Sequence, residues 1–490
     1  MLDTATKGSV LGRAWEGKFF DGSWADAGTV ADVIEPATGT VLTRIGIAGP
    51  ADIATAAKAA AAAQPGWYAT PERHRAAILL KAADLFESHA EELALWIVRE
   101  TGGIIPKGQH EVHTAVEICR AAAAMLHDIP SRTLPSAPER FSIARRVPLG
   151  VAGVISPFNF PLILGLRAVA PALAIGNAVL LKPDPQTAVS GGVIIARIFE
   201  RAGLPAGVLQ MLAGGADAGE AMCADANIQM IAFTGSTEAG RKVGEACGRH
   251  LKKVSLELGG KNSVIVLGDA DIATAASNVA FGAWFHQGQI CMAAGRILVE
   301  RSLAPALTAA LVEKAKHLQV GDPASGQVAL GPLINARQRD RVHWIVTGSI
   351  AAGAKLAAGG TYENLFYQPT VLTEVRPGMP CFDMEIFGPV ANIIPFDTDA
   401  EAIALANDTA YGLSAGIIGR DIGRAMNIAR QLKTGLVHIN DQSVVDDVVN
   451  PFGGRGASGN STAVGGPANW EEFSMWQWMT IQAEAPMKPF

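Results

Sequence analysis

Between residues 151 and 258 the chain alternates short apolar runs with segments of helical length. The runs cover 151–155, 178–181, 208–212, 230–233 and 254–258, and segments 188–202 and 237–251 carry a helical period. A strand that is apolar on every residue has no face to give to water, so it belongs in a sheet covered on both sides. Helices between successive strands return the chain to the same end, which makes that sheet parallel and the fold class α/β. A second alternating series starts at 262–267, runs through a helix over 272–286 and a strand at 297–299, and continues past Ile439. With 490 residues, 49% of them hydrophobic, the chain exceeds what one core accommodates, and two α/β domains follow.

Outside that rhythm, segment 71–99 places Ala76, Ile78, Leu79, Ala82, Leu85, Phe86, Leu93 and Ile97 at helical spacing, which predicts a pair of surface helices. Pro130, Pro135 and Pro138 then break the pattern, and 141–148 alternates as a strand that can project away from the core. The longest apolar stretch, 161–181, approaches the length of a membrane span. Pro161, Arg167, Pro171, Gly176 and Asn177 interrupt it, so it reads as a buried helix running into a buried strand. Residues 1–8 hold no apolar core of signal-peptide type, so export is not expected. Five scattered cysteines, an odd number, argue against a disulfide framework and against a clustered metal site, and suit a reducing cytoplasm. A net charge of -6 without a basic stripe disfavours nucleic acid and anionic membrane as partners and leaves a small molecule.

Three residue types then stand out chemically. Cys291 follows Gln287-Gly288-Gln289-Ile290 and precedes Met292-Ala293-Ala294-Gly295, a polar and then small setting that suits an exposed turn. Most free cysteines are buried small hydrophobes, and Cys119, Cys223 and Cys247, in helical patterns, read that way; Cys381, after Gly378-Met379-Pro380, reads as a loop cysteine. Glu257, between Leu256 and Leu258, is costly on a buried strand unless it is ion-paired or serves as a water-activating base. Asn159 lies in Ser156-Pro157-Phe158-Asn159-Phe160-Pro161, where two prolines fix the turn. Its amide is either a held donor for an oxyanion or a partner for its own backbone. The run Phe233-Thr234-Gly235-Ser236-Thr237 joins a strand to a helix and reads as readily as an ordinary capped turn as a phosphate cradle. Lys182 ends a strand where ligands of open α/β sheets bind, or is simply solvated. His286, near Cys291, lacks an evident orienting carboxylate and takes a structural or pocket-wall role.

Taken in order, Pro157-Phe158-Asn159-Phe160-Pro161, Phe233-Thr234-Gly235-Ser236-Thr237, Leu256-Glu257-Leu258-Gly259-Gly260, Gly288-Gln289-Ile290-Cys291, Glu385-Ile386-Phe387-Gly388-Pro389 and Pro451-Phe452-Gly453-Gly454 resemble the NAD(P)-dependent aldehyde dehydrogenase superfamily over nearly the whole chain. The segments 286–296 and 437–442 are most similar to its bacterial benzaldehyde-type members. The resemblance implies a Rossmann-like dinucleotide-binding domain over 1–129 and 149–256, a catalytic domain over 257–468, and a small β oligomerisation element over 130–148 and 469–490. It implies Cys291 as nucleophile, Glu257 as base for the deacylating water, and Asn159 with the Cys291 backbone N–H as oxyanion hole. Ser156, Pro157, Phe158, Lys182, Gly215, Phe233, Thr234, Gly235, Ser236, Leu258, Glu385 and Phe387 would hold the cofactor, NAD with NADP as the alternative. Phe160, Leu164, Ile290, Met292 and Phe452 would line the aldehyde pocket, and the assembly would be a homodimer or homotetramer. Two departures from the family stand out: Phe158 where many relatives have tryptophan, and Pro185 where many NAD-specific relatives have glutamate. Other readings are a broad-specificity or aliphatic aldehyde dehydrogenase, a coenzyme A-acylating relative, a cysteine hydrolase, and a non-catalytic NAD-binding protein. Arg167, a lone charge in an apolar helix, has no role in any of them.

Overall fold

In a computed structural model of the chain, which describes residues 9–490, the expected alternation builds two seven-stranded sheets. The segment 1–8, read above for export, lies outside the described residues. The first sheet runs Lys253–Glu257, Met230–Thr234, Val151–Ile155, Ala178–Lys182 and Leu209–Met211 in parallel order, then adds Lys18–Phe20 and Trp24–Asp26 as an antiparallel edge. Val151–Ile155 and Ala178–Lys182 are buried on every residue, which is why they read as unbroken apolar runs. The first parallel strand in the chain sits in the middle, between Met230–Thr234 and Ala178–Lys182. Strand order therefore reverses beside it, and a crevice opens at the carboxyl ends of the strands. Ser156, Lys182, Gly235 and Leu258 each lie at or just past such an end.

The second sheet places Asn262–Val266 between Ala294–Glu300 and Ser414–Ile418, with Val390–Phe396, Thr370–Thr373 and Leu436–Ile439 in the same sense and Lys355–Ala358 as an antiparallel edge. Strand Arg140–Pro148 stands apart from both and pairs over its full length with Ser474–Gln482, with Ser131–Thr133 on its other side. Among the described residues no helix is long and apolar enough to cross a membrane. The 161–181 stretch instead forms the helix Pro161–Ile175, stopped at Gly176 with φ +104°, and the strand that follows it.

Three expectations need correction. The helix at 272 ends at Trp284, because His286 and Gln287 adopt left-handed φ of 47° and 55°. The 188–202 helix starts as a wide π turn, Val189–Val193, whose N–H groups at Val189 and Ser190 donate to the buried Glu100 carboxylate; only Ile194–Ala202 is α-helical. Cys381 is not in a loop but in the short helix Pro380–Asp383, fully buried, where its N–H donates to Ser349 Oγ at 2.8 Å.

Candidate active site

A strained turn holds Cys291. Left-handed backbone is unfavourable for residues with a Cβ, yet His286, Gln287 and Gly288 adopt it in succession. Neighbours over-determine that shape. Gln287 Nε2 donates to Gly102 O at 2.8 Å, Gln289 Oε1 accepts from Ile334 N at 3.0 Å, and a Cβ on Gly288 would lie 2.2 Å from Gly388 O. Asn262 Nδ2 donates to Cys291 O at 2.8 Å and Ala293 O at 3.0 Å, fixing the backbone that leads away from the sulfur. Gly260 permits this close approach, since a Cβ there would sit 2.4 Å from Cys291 O.

The thiol stands where two cavities meet. One, of about 510 Å³, is lined by Asn159, Phe160, Leu164, Ile290, Met292 and Phe452, so all five expected pocket residues are brought together beside Cys291. Sequence reasoning missed Pro106, His110, Phe281 and Phe285 in its wall. Phe281 and Phe285 stack with centroids 4.6 Å apart; their spacing of four at a helix end, just before the cysteine turn, was the available signal. Pro106 and His110 come from the helix Ile105–Ala124, and nothing local to them marks a pocket. The second cavity, of about 30 Å³, joins Cys291 to Glu257, Arg167, Thr234, Leu258 and Phe452 and has room for about one water.

Asn159 does not serve its own turn: Nδ2 donates to Gln289 O at 2.9 Å, tying it to the cysteine segment. A primary amide carries two such hydrogens, so the second remains for a ligand in the cavity. The helix that follows is pinned by Glu111 Oε2, which accepts from Leu162 N at 3.1 Å and Ile163 N at 3.3 Å. Lys107, fully buried against Glu111, lies 4.7 Å from the Phe160 ring centroid. His286 packs edge-on against Phe160 at 5.2 Å, and burial together with Lys107 holds its pKa well below the usual value, so it is a neutral wall.

Glu257 is 6% exposed, and neither carboxylate oxygen meets a hydrogen-bond donor among the described residues. Burial pushes its pKa well above the usual carboxylate range, opposed by the Arg167 charge and reinforced by Glu472 and Asp446. The ion-paired alternative is thereby set aside. Burial, followed by the Glu385, Glu257 and Asp446 charges, likewise pushes the Cys291 thiol up to about 12.

A groove of about 650 Å³ runs along the carboxyl ends of the first sheet, lined by Ile155, Lys182, Asp184, Pro185, Gly215 and Phe233. Lys182 is not solvated: Nζ donates to Gly214 O at 2.6 Å, and burial lowers its pKa against the pull of Asp184 and Asp217. Ser236 caps the helix Thr237–Arg249, accepting from Ala239 N, and Gly240 lets that helix lie directly on Leu258, whose Cδ2 would be 2.3 Å from a Cβ there. Glu385 accepts from Gly260 N at 3.0 Å, and Phe387, at φ 58°, meets the Phe158 ring edge-on at 5.9 Å. A groove at the carboxyl ends of a parallel sheet that holds the buried Lys182, with the Ser236-capped helix following the next strand, fits a dinucleotide.

Residues 24–479 match the model of the aldehyde dehydrogenase family. The chain is 53% identical to a vanillin dehydrogenase of Amycolatopsis sp. and 52% identical to a benzaldehyde dehydrogenase [NAD(+)] of Pseudomonas putida, each alignment covering 97% of this chain and 98% of the relative. The crystal structure of a salicylaldehyde dehydrogenase from Pseudomonas putida G7, complexed with salicylaldehyde, superposes with a TM-score of 0.93 at 34% identity, over 96% of this chain and 99% of that one. With the fold, the thiol between its two cavities and this full-length similarity in agreement, the chain belongs to the aldehyde dehydrogenase family.

Proposed function

We propose that the protein oxidises aromatic aldehydes to carboxylic acids with NAD, through a thioester on Cys291. The observation that carries this reading is the position of Cys291 between a large cavity walled by Phe160, Phe281, Phe285 and Phe452 and a water-sized one containing Glu257. Flat apolar walls suit a ring. The relatives named for vanillin, benzaldehyde and salicylaldehyde support the same substrate class.

In the reaction Cys291 first gives up its S–H proton to solvent; the thiolate sulfur then bonds to the aldehyde carbon, and the carbonyl electron pair moves to oxygen. The second N–H of Asn159 and the Cys291 backbone N–H receive that oxyanion. A nicotinamide dinucleotide bound in the groove supplies the acceptor for the hydride. Cys291 then carries a thioester, and Glu257 takes a proton from the water in the small cavity as it attacks the acyl carbon. The carbon–sulfur bond breaks, the acid leaves, and the thiol is restored.

Asp184 lines the groove next to Pro185, and a carboxylate there favours ribose hydroxyls over a 2′-phosphate. NAD should therefore exceed NADP in kcat/KM by about tenfold or more. Benzaldehyde and vanillin should exceed acetaldehyde by about 100-fold, since about five or six additional carbons leave water. Steady-state rates with each aldehyde and each cofactor check both statements, and equal kcat/KM for acetaldehyde and benzaldehyde would sink the aromatic assignment.

A second copy of the chain is the proposed partner for the three-stranded sheet, which exposes Phe141, Met475, Trp476, Trp478 and Ile481. Light scattering should give a dimer or tetramer mass; a monomer at micromolar concentration would remove this assignment. The chemistry asks for no membrane and no export, and the cytoplasm is the proposed compartment.

A further inference from the structure

Arg167 is the one charged residue of the helix Pro161–Ile175 and is 5% exposed. Arg167 lines both cavities that meet at Cys291. Nη2 donates to Asp446 Oδ1 at 2.6 Å, and the group lies 4.8 Å from the Phe452 ring centroid. Its Nε–H finds no acceptor among the described residues. A buried cation with an unspent donor, placed beside a buried carboxylate that has no donor, is an arrangement that packing alone does not require.

We propose that Arg167 is a positioning residue for the hydrolytic half of the reaction: its cation biases Glu257 toward the carboxylate, and Asp446 sets how much of that charge Glu257 feels. The proposal rests on Glu257 acting as the base described above. The charged groups facing Glu257 are Arg167 from its helix, Asp446 from the loop before Phe452, and Glu472 from the helix Ala468–Phe473; the Cys291 thiol is the remaining titratable neighbour. Glu472 is itself 3.9 Å from Lys253. Arg167 is the cation of this set that acts on Glu257, and the two acids oppose it. Removing Arg167 should make Glu257 harder to ionise, and removing the Asp446 charge should make it easier.

Hydrolysis can be read without cofactor, using 4-nitrophenyl benzoate. Cys291 sulfur bonds to the acyl carbon, the ester C–O bond breaks, and nitrophenolate leaves in a burst; the steady rate that follows is thioester hydrolysis. That steady rate falls at low pH as Glu257 protonates. In Arg167→Met the acidic limb should move up by roughly one pH unit, in Asp446→Asn it should move down, and Arg167→Lys should restore the wild-type position. A purely structural Arg167 would lower the rate at every pH and leave the limb in place. Limbs that coincide, or that move in the same direction in Arg167→Met and Asp446→Asn, overturn the proposal. A wild-type protein that stops after the nitrophenol burst overturns the base role of Glu257 instead, so the two failures are distinct.

Discussion

Cys291→Ala should lose at least about 10³-fold in aldehyde turnover while the folded protein still binds NAD in titration calorimetry. The substitution removes the sulfur and little else. The backbone of the turn is held through the carbonyls of Cys291 and Ala293, which accept from Asn262, and through Gln287 and Gln289, none of which uses the thiol. Nor can another cysteine substitute, since Cys119, Cys223, Cys247 and Cys381 are all buried. Because burial pushes the thiol up to about 12, the wild-type acylation rate should climb with pH across the range of about 6 to 9, as the thiolate fraction grows. Turnover by Cys291→Ala close to wild type would remove the nucleophile assignment.

The parallel cores were legible because buried strands such as Val151–Ile155 carry their burial in every residue. Glu257 and Asn159 were legible for a related reason: a carboxylate inside an apolar strand and an amide locked between prolines each break a local rule. The turn before Cys291 was not. His286 and Gln287 look like the continuation of a helix, and their left-handed backbone is imposed by Gly102, Gly388 and Ile334 from distant segments. The widened start of the 189–202 helix depends in the same way on Glu100, about ninety residues upstream. The pocket wall divides along this line. Phe160 and Ile290 lie within recognisable motifs, whereas Pro106 and His110 reach the cavity only through packing of the helix Ile105–Ala124. Arg167 was conspicuous in the sequence, but its surroundings could be read only after the 441–452 loop was placed against it.

Glu257→Gln separates the two halves of the reaction. Glutamine keeps the size of the side chain and removes a carboxylate with no donor among the described residues, so the fold should hold and its melting temperature should stay level or rise slightly. The strand end is fixed through backbone, with Leu258 N donating to Ser458 O at 2.9 Å, and does not depend on the carboxylate. The amide cannot take a proton from water. Acylation needs the Cys291 sulfur and the Asn159 donor, both intact in this variant, so rapid mixing with benzaldehyde and NAD should give close to one equivalent of NADH per active site. The steady rate afterwards should fall by about 10² to 10⁴, the usual contribution of a positioned base. The remaining hydrolysis should also lose the acidic limb expected of the wild type, because the group that titrates there is gone. If burst and steady rate instead fall together, Glu257 acts before the thioester forms, and the proton it handles is the one on the Cys291 sulfur across the shared cavity.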